Sequence, residues 1–233
     1  ENIMKKSFYH ILFATLLVTG FASCGYDNFD EPRSMLSGNV QYNGQNLQLQ
    51  GSGGSIQLQA YQTGYELKSP ITIYVNQEGR FSARLFNGHY KLVTKDNNGP
   101  WVNNRDTIEV DIKGNTEVNI PVTPYFLLSD YNCTLSGNRL TASFKIQQIV
   151  TPATLSYATI CIGRTSIVDE QNNAFQIRLN ASALTMGANS FSFTLTDEQK
   201  KAISGAAKLT ARVGLRTVDA DKSVYTHIVT LAE

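Results

Sequence analysis

The sequence is poor in the residues that most often carry chemistry. Its 233 residues include only three histidines, three cysteines, one tryptophan and six prolines. It also lacks an HExxH motif, a GxSxG motif and a phosphate-binding loop, so it presents no recognisable nucleophile, base or metal set. These absences predict a protein that is not an enzyme and that holds no metal or cofactor within its fold.

The sequence also lacks an excess of positive or negative charge. The chain has 20 basic and 19 acidic residues, a formal net charge of +1, and only 17% of its residues are charged. Glu1, Lys5 and Lys6 lie in the first 23 residues, and the remainder is formally neutral. A neutral body lacks the long-range attraction that phosphate backbones require, so we expect no nucleic-acid partner.

The sequence has no apolar run of the length that spans a bilayer comfortably, roughly 18–20 residues. A shorter apolar stretch at residues 8–22 follows Lys5 and Lys6 and ends in small residues. A basic start, an apolar centre and small residues before a boundary are typical of a secretory signal. We therefore interpret residues 1–23 as a signal peptide rather than a transmembrane anchor.

The end of this segment, Phe21-Ala22-Ser23-Cys24, resembles a bacterial lipobox, in which a peptidase cuts before a cysteine that receives diacylglycerol. Ala22 and Ser23 fit the pattern, and Phe21 replaces the usual leucine. The resemblance implies that Cys24 is the mature N-terminus and carries a covalent lipid, with residues 24–36 as a tether. Each buried methylene contributes about 0.8 kcal/mol, so two or three acyl chains would anchor the protein to the membrane. The alternative is an ordinary cysteine behind an ordinary signal.

The residues after Cys24 bear on localisation. Gly25 stands where an aspartate is associated with inner-membrane retention, and Asp27, Asp30 and Glu31 resemble the acidic export signals of surface lipoproteins in Bacteroidetes. We expect a lipid-anchored protein of the outer membrane, exposed at the cell surface. An ordinary solvated tether is the other explanation of these carboxylates.

From residue 33 onward, apolar and polar residues alternate with the period of two that is typical of strands. Ile56, Leu58 and Ala60, for example, are separated by Gln57 and Gln59. Turn dipeptides separate the alternating segments: Asn43-Gly44, Glu78-Gly79, Asn87-Gly88, Asn98-Gly99 and Gly114-Asn115. Residues 37–123 are therefore predicted to form a small antiparallel sandwich.

A second domain is predicted at residues 124–233, because Pro121 and Pro124 break any continuing ladder. About seven further alternating segments follow, the count expected of an immunoglobulin-like sandwich. One short helix is predicted from Asp197 to Ser204, since Thr196 can cap it and Gln199 completes a capping box. We expect this helix to cross between two sheets. The prediction is an all-β chain of two tandem β-sandwich domains.

Several segments of the first domain resemble a carboxypeptidase-regulatory-like, transthyretin-type sandwich: SGNV at residues 37–40, EGRF at 78–81 and NGHY at 87–90. With PITIY at 70–74, GPW at 99–101 and VTPYF at 122–126, the chain resembles the Bacteroidetes lipoproteins of the domain-of-unknown-function 3823 family. Such proteins tend to accompany starch-utilisation-type importers, in which a surface lipoprotein and a TonB-dependent pore capture glycans. The resemblance implies these partners and a polysaccharide ligand, and it assigns no functional residue.

The loop around Trp101 is the candidate ligand site. Trp101 could stack on a sugar face while Asn103 and Asp106 hydrogen-bond around it. The alternative, which we favour, is that Trp101 plugs the end of the sandwich as core. The oxygen donors of the loop also suggest Ca²⁺, but Pro100 occupies the third ligand position of the EF-hand pattern, and turn chemistry explains the Asn and Asp residues.

Cys133 and Cys161 both fall in predicted strands of the second domain. An oxidising envelope permits a disulfide between them, and two buried thiols are the alternative, because the sequence does not define the distance between the two residues.

The sequence is consistent with two functions. The first is a non-catalytic accessory glycan-binding or scaffolding lipoprotein of a polysaccharide uptake system. The second is a structural envelope lipoprotein, an adhesin or fimbrial-type module that contacts protein through sheet edges.

Overall fold

Strands dominate the chain, as the alternation predicts. A computed structural model describes residues 30–64, 66 and 69–231. The predicted signal peptide, Cys24 and the first residues of the tether lie outside the described residues. The last three residues of the predicted tether, 34–36, instead begin the first strand, where Leu36 is completely buried. Residues 32–233 belong to one unit.

The first sandwich is a nine-stranded sheet that curls around its own core. Its strands are β1 (Ser34–Tyr42), β2 (Gln45–Asn46), β3 (Ile56–Gln62), β4 (Ile71–Val75), β5 (Arg80–Leu85), β6 (Gly88–Thr94), β7 (Ile108–Ile112), β8 (Asn115–Glu117) and β9 (Ile120–Pro121). They pair in the order β2-β1-β5-β4-β3-β6-β7, while β8 and β9 pair in parallel with β1. A 3-10 turn, Ser52–Gly54, precedes β3.

Burial along β3 shows why the sheet forms. Ile56, Leu58 and Ala60 are completely buried, whereas Gln57 and Gln59 on the other face are partly exposed. Alternate residues of a strand point to opposite faces, so the predicted period of two places one apolar face on the core. The prediction of an antiparallel sandwich is confirmed here, with the parallel pairs of β1 as an addition.

The predicted turns differ in how they use glycine. Asn43 and Gly44 both have positive φ, 50° and 78°, as a two-residue hairpin turn between β1 and β2 requires. At Asn98-Gly99 the positive φ, 53°, belongs instead to Asn97. Gly99 serves a different purpose, because a Cβ there would lie 2.2 Å from Cε2 of Trp101. This glycine allows the indole to pack directly on the backbone.

The second sandwich has two antiparallel sheets. Its strands are β10 (Phe126–Ser136), β11 (Arg139–Gln148), β12 (Leu155–Gly163), β13 (Phe175–Asn180), β14 (Gly187–Thr194), β15 (Leu209–Thr217), β16 (Val224–Tyr225) and β17 (Val229–Leu231). One sheet has the order β10-β11-β14, and the other has the order β13-β12-β15-β16, with β17 also paired to β15. A 3-10 turn, Ala181–Ala183, follows β13. Together with the first sandwich, this confirms the predicted all-β fold.

One helix, α1 (Asp197–Ile203), connects β14 of one sheet to β15 of the other, as predicted. The Thr196 hydroxyl accepts a hydrogen bond from the Gln199 amide at 3.3 Å, and Oε1 of Gln199 accepts one from the Thr196 amide at 3.0 Å. The helix ends one residue earlier than predicted, because Ser204 is already its C-terminal cap and Gly205 takes a positive φ of 67°.

The two sandwiches are joined by polar contacts that are partly or completely buried. Asp169 of the second sandwich accepts hydrogen bonds from the amide of Ser52 at 2.8 Å and from its hydroxyl at 2.7 Å. The amide of Tyr225 donates to the carbonyl of Gln48 at 2.9 Å. Arg212 on β15 is completely buried and donates into the first sandwich. These contacts hold the surfaces near the junction at a defined separation.

Candidate functional site

A cleft of about 640 Å³ opens where the first sandwich meets the start of the second. We call it the junction cleft. The end of β1 and its hairpin turn, the loop after Trp101, the end of β9 and one residue of the second sandwich line it: Gln41, Tyr42, Asn43, Val102, Asn103, Asn104, Pro121, Val122, Thr123 and Val150. Its volume lies within the range of about 300–1000 Å³ that is usual for ligand pockets.

The lining of the junction cleft is polar but uncharged. Four amide side chains and the hydroxyl of Thr123 supply hydrogen-bonding groups, and Tyr42 supplies a half-buried aromatic ring. None of the described residues that line the cleft is a carboxylate, a lysine, an arginine or a histidine. Such a lining can bind a neutral, hydrogen-bonding ligand, and it provides no pair of groups for acid–base chemistry.

Internal hydrogen bonds hold two of the four amides, those of Asn103 and Gln41, in place. Asn103 and Asn97 form a reciprocal pair, in which Oδ1 of Asn103 accepts from the Asn97 amide at 2.9 Å and Nδ2 of Asn103 donates to Oδ1 of Asn97 at 2.7 Å. Gln41 donates from Nε2 to Oδ1 of Asn46 at 2.9 Å. The side chains are thereby oriented before any ligand arrives, which lowers the entropy cost of binding.

Trp101 is core. Its side chain is 2% exposed and belongs to the buried cluster of the first sandwich. Its backbone forms an isolated bridge with Pro124, which ties the loop to the segment between the domains. An indole buried in this way has no free face on which a sugar ring could stack, and the structure therefore favours the second of the two interpretations of Trp101.

The structure places only one of the other two candidate residues in the junction cleft. Asn103 lines the junction cleft, whereas Asp106 lies further along the same loop and outside the lining. The backbone amide of Asp106 donates to Oδ1 of Asn104 at 2.9 Å, so Asp106 helps to shape the loop. Sequence reasoning missed Tyr42. Its only signal was an aromatic residue directly before the Asn43-Gly44 turn, at the end of a strand.

The two described histidines are engaged with neighbours outside the cleft. Nδ1 of His89 lies 2.7 Å from Oδ1 of Asp111, and its Nε2 lies 3.5 Å from Glu109. A hydrogen bond and the charge of Lys91 lower the pKa of Glu109. The ring of His227 packs edge-on against Tyr131 with centroids 5.6 Å apart. Within the described part of the chain, no group of three or more His, Cys, Asp and Glu residues is arranged to hold a metal ion.

Cys133 and Cys161 are free, buried thiols. Cys133 packs in the core cluster of the second sandwich. Ile160 and Ile162 face the same cluster, so Cys161 between them points to the opposite side of its sheet. Burial raises the pKa of Cys133 to about 11, and burial likewise raises the pKa of Cys161. Neither thiol is poised for nucleophilic chemistry.

No helix among the described residues is long and apolar enough to cross a membrane.

Comparison with known proteins identifies relatives over nearly the whole described chain. A search of curated proteins finds no match. A DUF3823 family protein from Parabacteroides merdae has 41% sequence identity and a TM-score of 0.82, over 87% of this chain and 100% of that one. A DUF3823 family protein from Bacteroides ovatus has 30% identity and a TM-score of 0.76, over 85% and 98% of the two chains.

A more distant structure shares the fold alone. It is described as a "putative carbohydrate binding protein" from Bacteroides uniformis, with 15% identity and a TM-score of 0.69, over 87% of this chain and 100% of that one. Two family models match the chain: "Protein of unknown function (DUF3823) N-terminal domain" at residues 34–123 and "Domain of unknown function (DUF3823_C)" at residues 126–230. The chain therefore belongs to the DUF3823 family.

Proposed function

We propose that this protein is a non-catalytic, lipid-anchored glycan-binding component of an outer-membrane polysaccharide uptake system. The observation that carries the proposal is the junction cleft, which combines four amides, a hydroxyl and the ring of Tyr42 without a charged group. Amides both donate and accept hydrogen bonds, as sugar hydroxyls do. The ring of Tyr42 offers an apolar surface for the C–H face of a sugar.

Binding is favoured over hydrolysis by the lining of the cleft. Glycoside hydrolysis ordinarily requires two carboxyl groups on either side of the scissile bond. The described residues of the junction cleft include no carboxyl group at all. The name of the Bacteroides uniformis relative points in the same direction, towards carbohydrate binding.

The rest of the proposal concerns where the protein works. We assign the lipid to Cys24, with the outer membrane as location and the cell surface as the exposed side. The partners we propose are a TonB-dependent glycan importer and its glycan-binding lipoprotein, which the family resemblance implies. In this arrangement the cleft would hold polysaccharide close to the pore, and the sandwiches would act as a rigid spacer.

The test is gel retardation of the protein in native gels that contain neutral or anionic polysaccharides. The chain carries Cys24→Ser so that it stays soluble. We expect at least one neutral polysaccharide to retard it. Tyr42→Ala should lose retardation because the ring surface is gone, and Val102→Glu should lose it because a carboxylate then enters the cleft.

Two features make this test specific. Val102 is 37% exposed, so its substitution spares the core. Tyr74→Ala is the matched control, because Tyr74 is 58% exposed and lies outside the cleft lining. If no polysaccharide retards the wild type, or if both cleft variants bind as well as Tyr74→Ala does, the proposal is wrong.

One observation favours the structural alternative. Strand β14 ends the three-stranded sheet, and its eight residues, Gly187–Thr194, carry no charge. Uncharged edge strands are templates for pairing with another chain. An edge-pairing protein would associate through β14, and Ser192→Lys would abolish that association. If the wild type is monomeric in analytical ultracentrifugation, the chain does not self-assemble through β14, and this alternative loses that support.

A further inference from the structure

A second cavity lies beside the junction cleft and shares one lining residue with it. We call it the inner cavity. It measures about 170 Å³ and takes its lining from both sandwiches. Gln45, Asn46 and Gln48 come from the first sandwich, and Leu127 and Gln147 come from the second. This volume is below the usual range for a whole ligand, so by itself the inner cavity suits one small unit of a larger molecule.

The two cavities share a wall. Tyr42 lines both of them. Tyr42 and Gln45 are paired across the hairpin of β1 and β2, as are Gln41 and Asn46. Gln41 of the junction cleft also donates to Oδ1 of Asn46 in the inner cavity at 2.9 Å. The two cavities therefore meet at Tyr42 and at the hairpin that carries it.

The chemistry of the two cavities is the same. The inner cavity adds Gln45, Asn46, Gln48 and Gln147 to the four amides of the junction cleft, with Leu127 as apolar surface. No carboxylate, lysine, arginine or histidine stands among its described lining residues. A charged polymer would find no counter-ion in either cavity, whereas an uncharged polyhydroxylated chain finds amides in both.

The inner cavity is preformed. The amide of Tyr225 donates to the carbonyl of Gln48 at 2.9 Å, and both residues line this cavity. Arg212 fixes the same junction through a buried hydrogen bond to Leu49, and Asp169 does so through a partly buried one from Ser52. Because hydrogen bonds connect the two walls, the fold itself fixes the distance between the two cavities. A fixed distance lets successive sugar units of one chain occupy both cavities without a further ordering cost.

We infer that the junction cleft and the inner cavity are two subsites of one groove for an extended, uncharged oligosaccharide, with Tyr42 as the platform between them. This inference rests on the proposed glycan-binding function and adds the class of ligand. A single sugar fills only one subsite, so affinity should depend on chain length. Anionic chains, such as those with uronic acid or sulfate groups, should bind weakly.

The experiment is isothermal titration of the Cys24→Ser chain with neutral gluco-, xylo- and manno-oligosaccharides, from disaccharides to hexasaccharides. Within the series that binds, we expect affinity to rise with length. Gln147→Ala removes one amide from the inner cavity and should weaken binding of the longest member about three- to tenfold, as the loss of one hydrogen bond does. The same variant should leave the affinity for the disaccharide unchanged.

The control is Gln176→Ala, an exposed glutamine on β13 outside both cavities, which should bind every length as the wild type does. If the disaccharide binds as tightly as the hexasaccharide, or if Gln147→Ala weakens both equally, the two-subsite groove is wrong while glycan binding stands. If no oligosaccharide or polysaccharide binds, the groove and the proposed function are both wrong.

Discussion

Arg212 of the second sandwich donates a hydrogen bond from Nη1 to the carbonyl oxygen of Leu49 in the first, at 2.8 Å, and both residues are completely buried. Its Nη2 donates to the carbonyl of Gln77 at 3.0 Å, and its Nε donates to Thr226 at 2.8 Å. Burial lowers the pKa of Arg212 to about 10, so the guanidinium is still charged at neutral pH. One side chain thus satisfies carbonyls from both sandwiches.

Replacing this side chain should loosen the junction. Arg212→Met keeps much of the volume but removes the guanidinium donor from three carbonyls, of which only that of Gln77 keeps a second donor among the described residues, the amide of Leu49. We expect the substitution to lower the free energy of unfolding by about 3 kcal/mol. Urea unfolding followed by the fluorescence of Trp101, the single tryptophan, measures the change. Arg84→Met, at an exposed position, is the control and should stay within about 0.5 kcal/mol of the wild type. An Arg212→Met chain as stable as that control would contradict the prediction.

Asp169 should make stability depend on acid pH. Burial by itself raises its pKa, but hydrogen bonds from Ser52, Asn172 and Gln171 outweigh burial and lower the pKa below its usual value. A carboxyl group whose folded pKa is depressed contributes stability above its unfolded pKa of about 3.9 and loses it as the pH falls through the folded pKa. Asp169→Asn should therefore be less stable than the wild type at pH 7, with a smaller further loss below about pH 4.

Urea midpoints at neutral and acid pH measure this difference. Ser52→Ala is the companion variant, because it removes the hydroxyl that donates to Oδ1 of Asp169 at 2.7 Å and should reproduce part of the effect. The assignment to Asp169 fails if Asp169→Asn loses as much stability on acidification as the wild type does.

Gly99 should tolerate no side chain. The methyl group of Gly99→Ala would fall within 2.2 Å of the Trp101 ring, so either the ring or the loop must move, at a cost of about 1–3 kcal/mol. Gly64→Ala is the matched control, because open space surrounds Gly64 and only its φ of +90° opposes substitution. We expect Gly99→Ala to be the more destabilising of the two and to shift the emission of Trp101 in the native state. Equal unfolding midpoints and an unchanged native emission would show that Trp101 is not held against Gly99.

The two described cysteines should resist thiol reagents. Both are buried, and burial raises the pKa of Cys133 to about 11, so the reactive thiolate is scarce at pH 8. In the Cys24→Ser chain, a colorimetric disulfide reagent should react very slowly with the native protein and should count two thiols in guanidinium chloride. Rapid reaction of the native chain, or fewer than two thiols after unfolding, would contradict this prediction.

The anchor is tested by labelling with radioactive palmitate in a Bacteroidetes host. Wild-type protein should take up label and fractionate with the outer membrane, and Cys24→Ser should do neither, because the acyl chains have no attachment point. Cys133→Ala is the control that removes a cysteine without removing the proposed lipid site. Label on Cys24→Ser would show that the lipid is attached elsewhere.

The burial of Trp101 could be predicted only in part from the residues next to it in the sequence. Its surroundings in the sequence, Asn and Asp in a loop, fit either a surface aromatic or a core plug, and only the general tendency of Trp to be buried favours the core. The decision depends on Gly99, whose missing side chain leaves room for the indole. That contact joins neighbours in sequence, whereas the bridge between Trp101 and Pro124, which anchors the same loop, joins residues of different segments.

The alternation in β3, the hairpin at Asn43-Gly44 and the capping box at Thr196 are local, and the sequence by itself determined them, since each depends on residues a few positions apart. Arg212 and Tyr42 are different. Alternation marks Arg212 as lying on the polar face of β15, but only the tertiary structure decided that the first sandwich covers this face and supplies carbonyls at positions 49 and 77. Tyr42 lines a cleft with Asn103 and Val150 because packing brings segments that are distant in sequence together. The alternation of polar and apolar residues in a strand does not predict which distant segments pack against it.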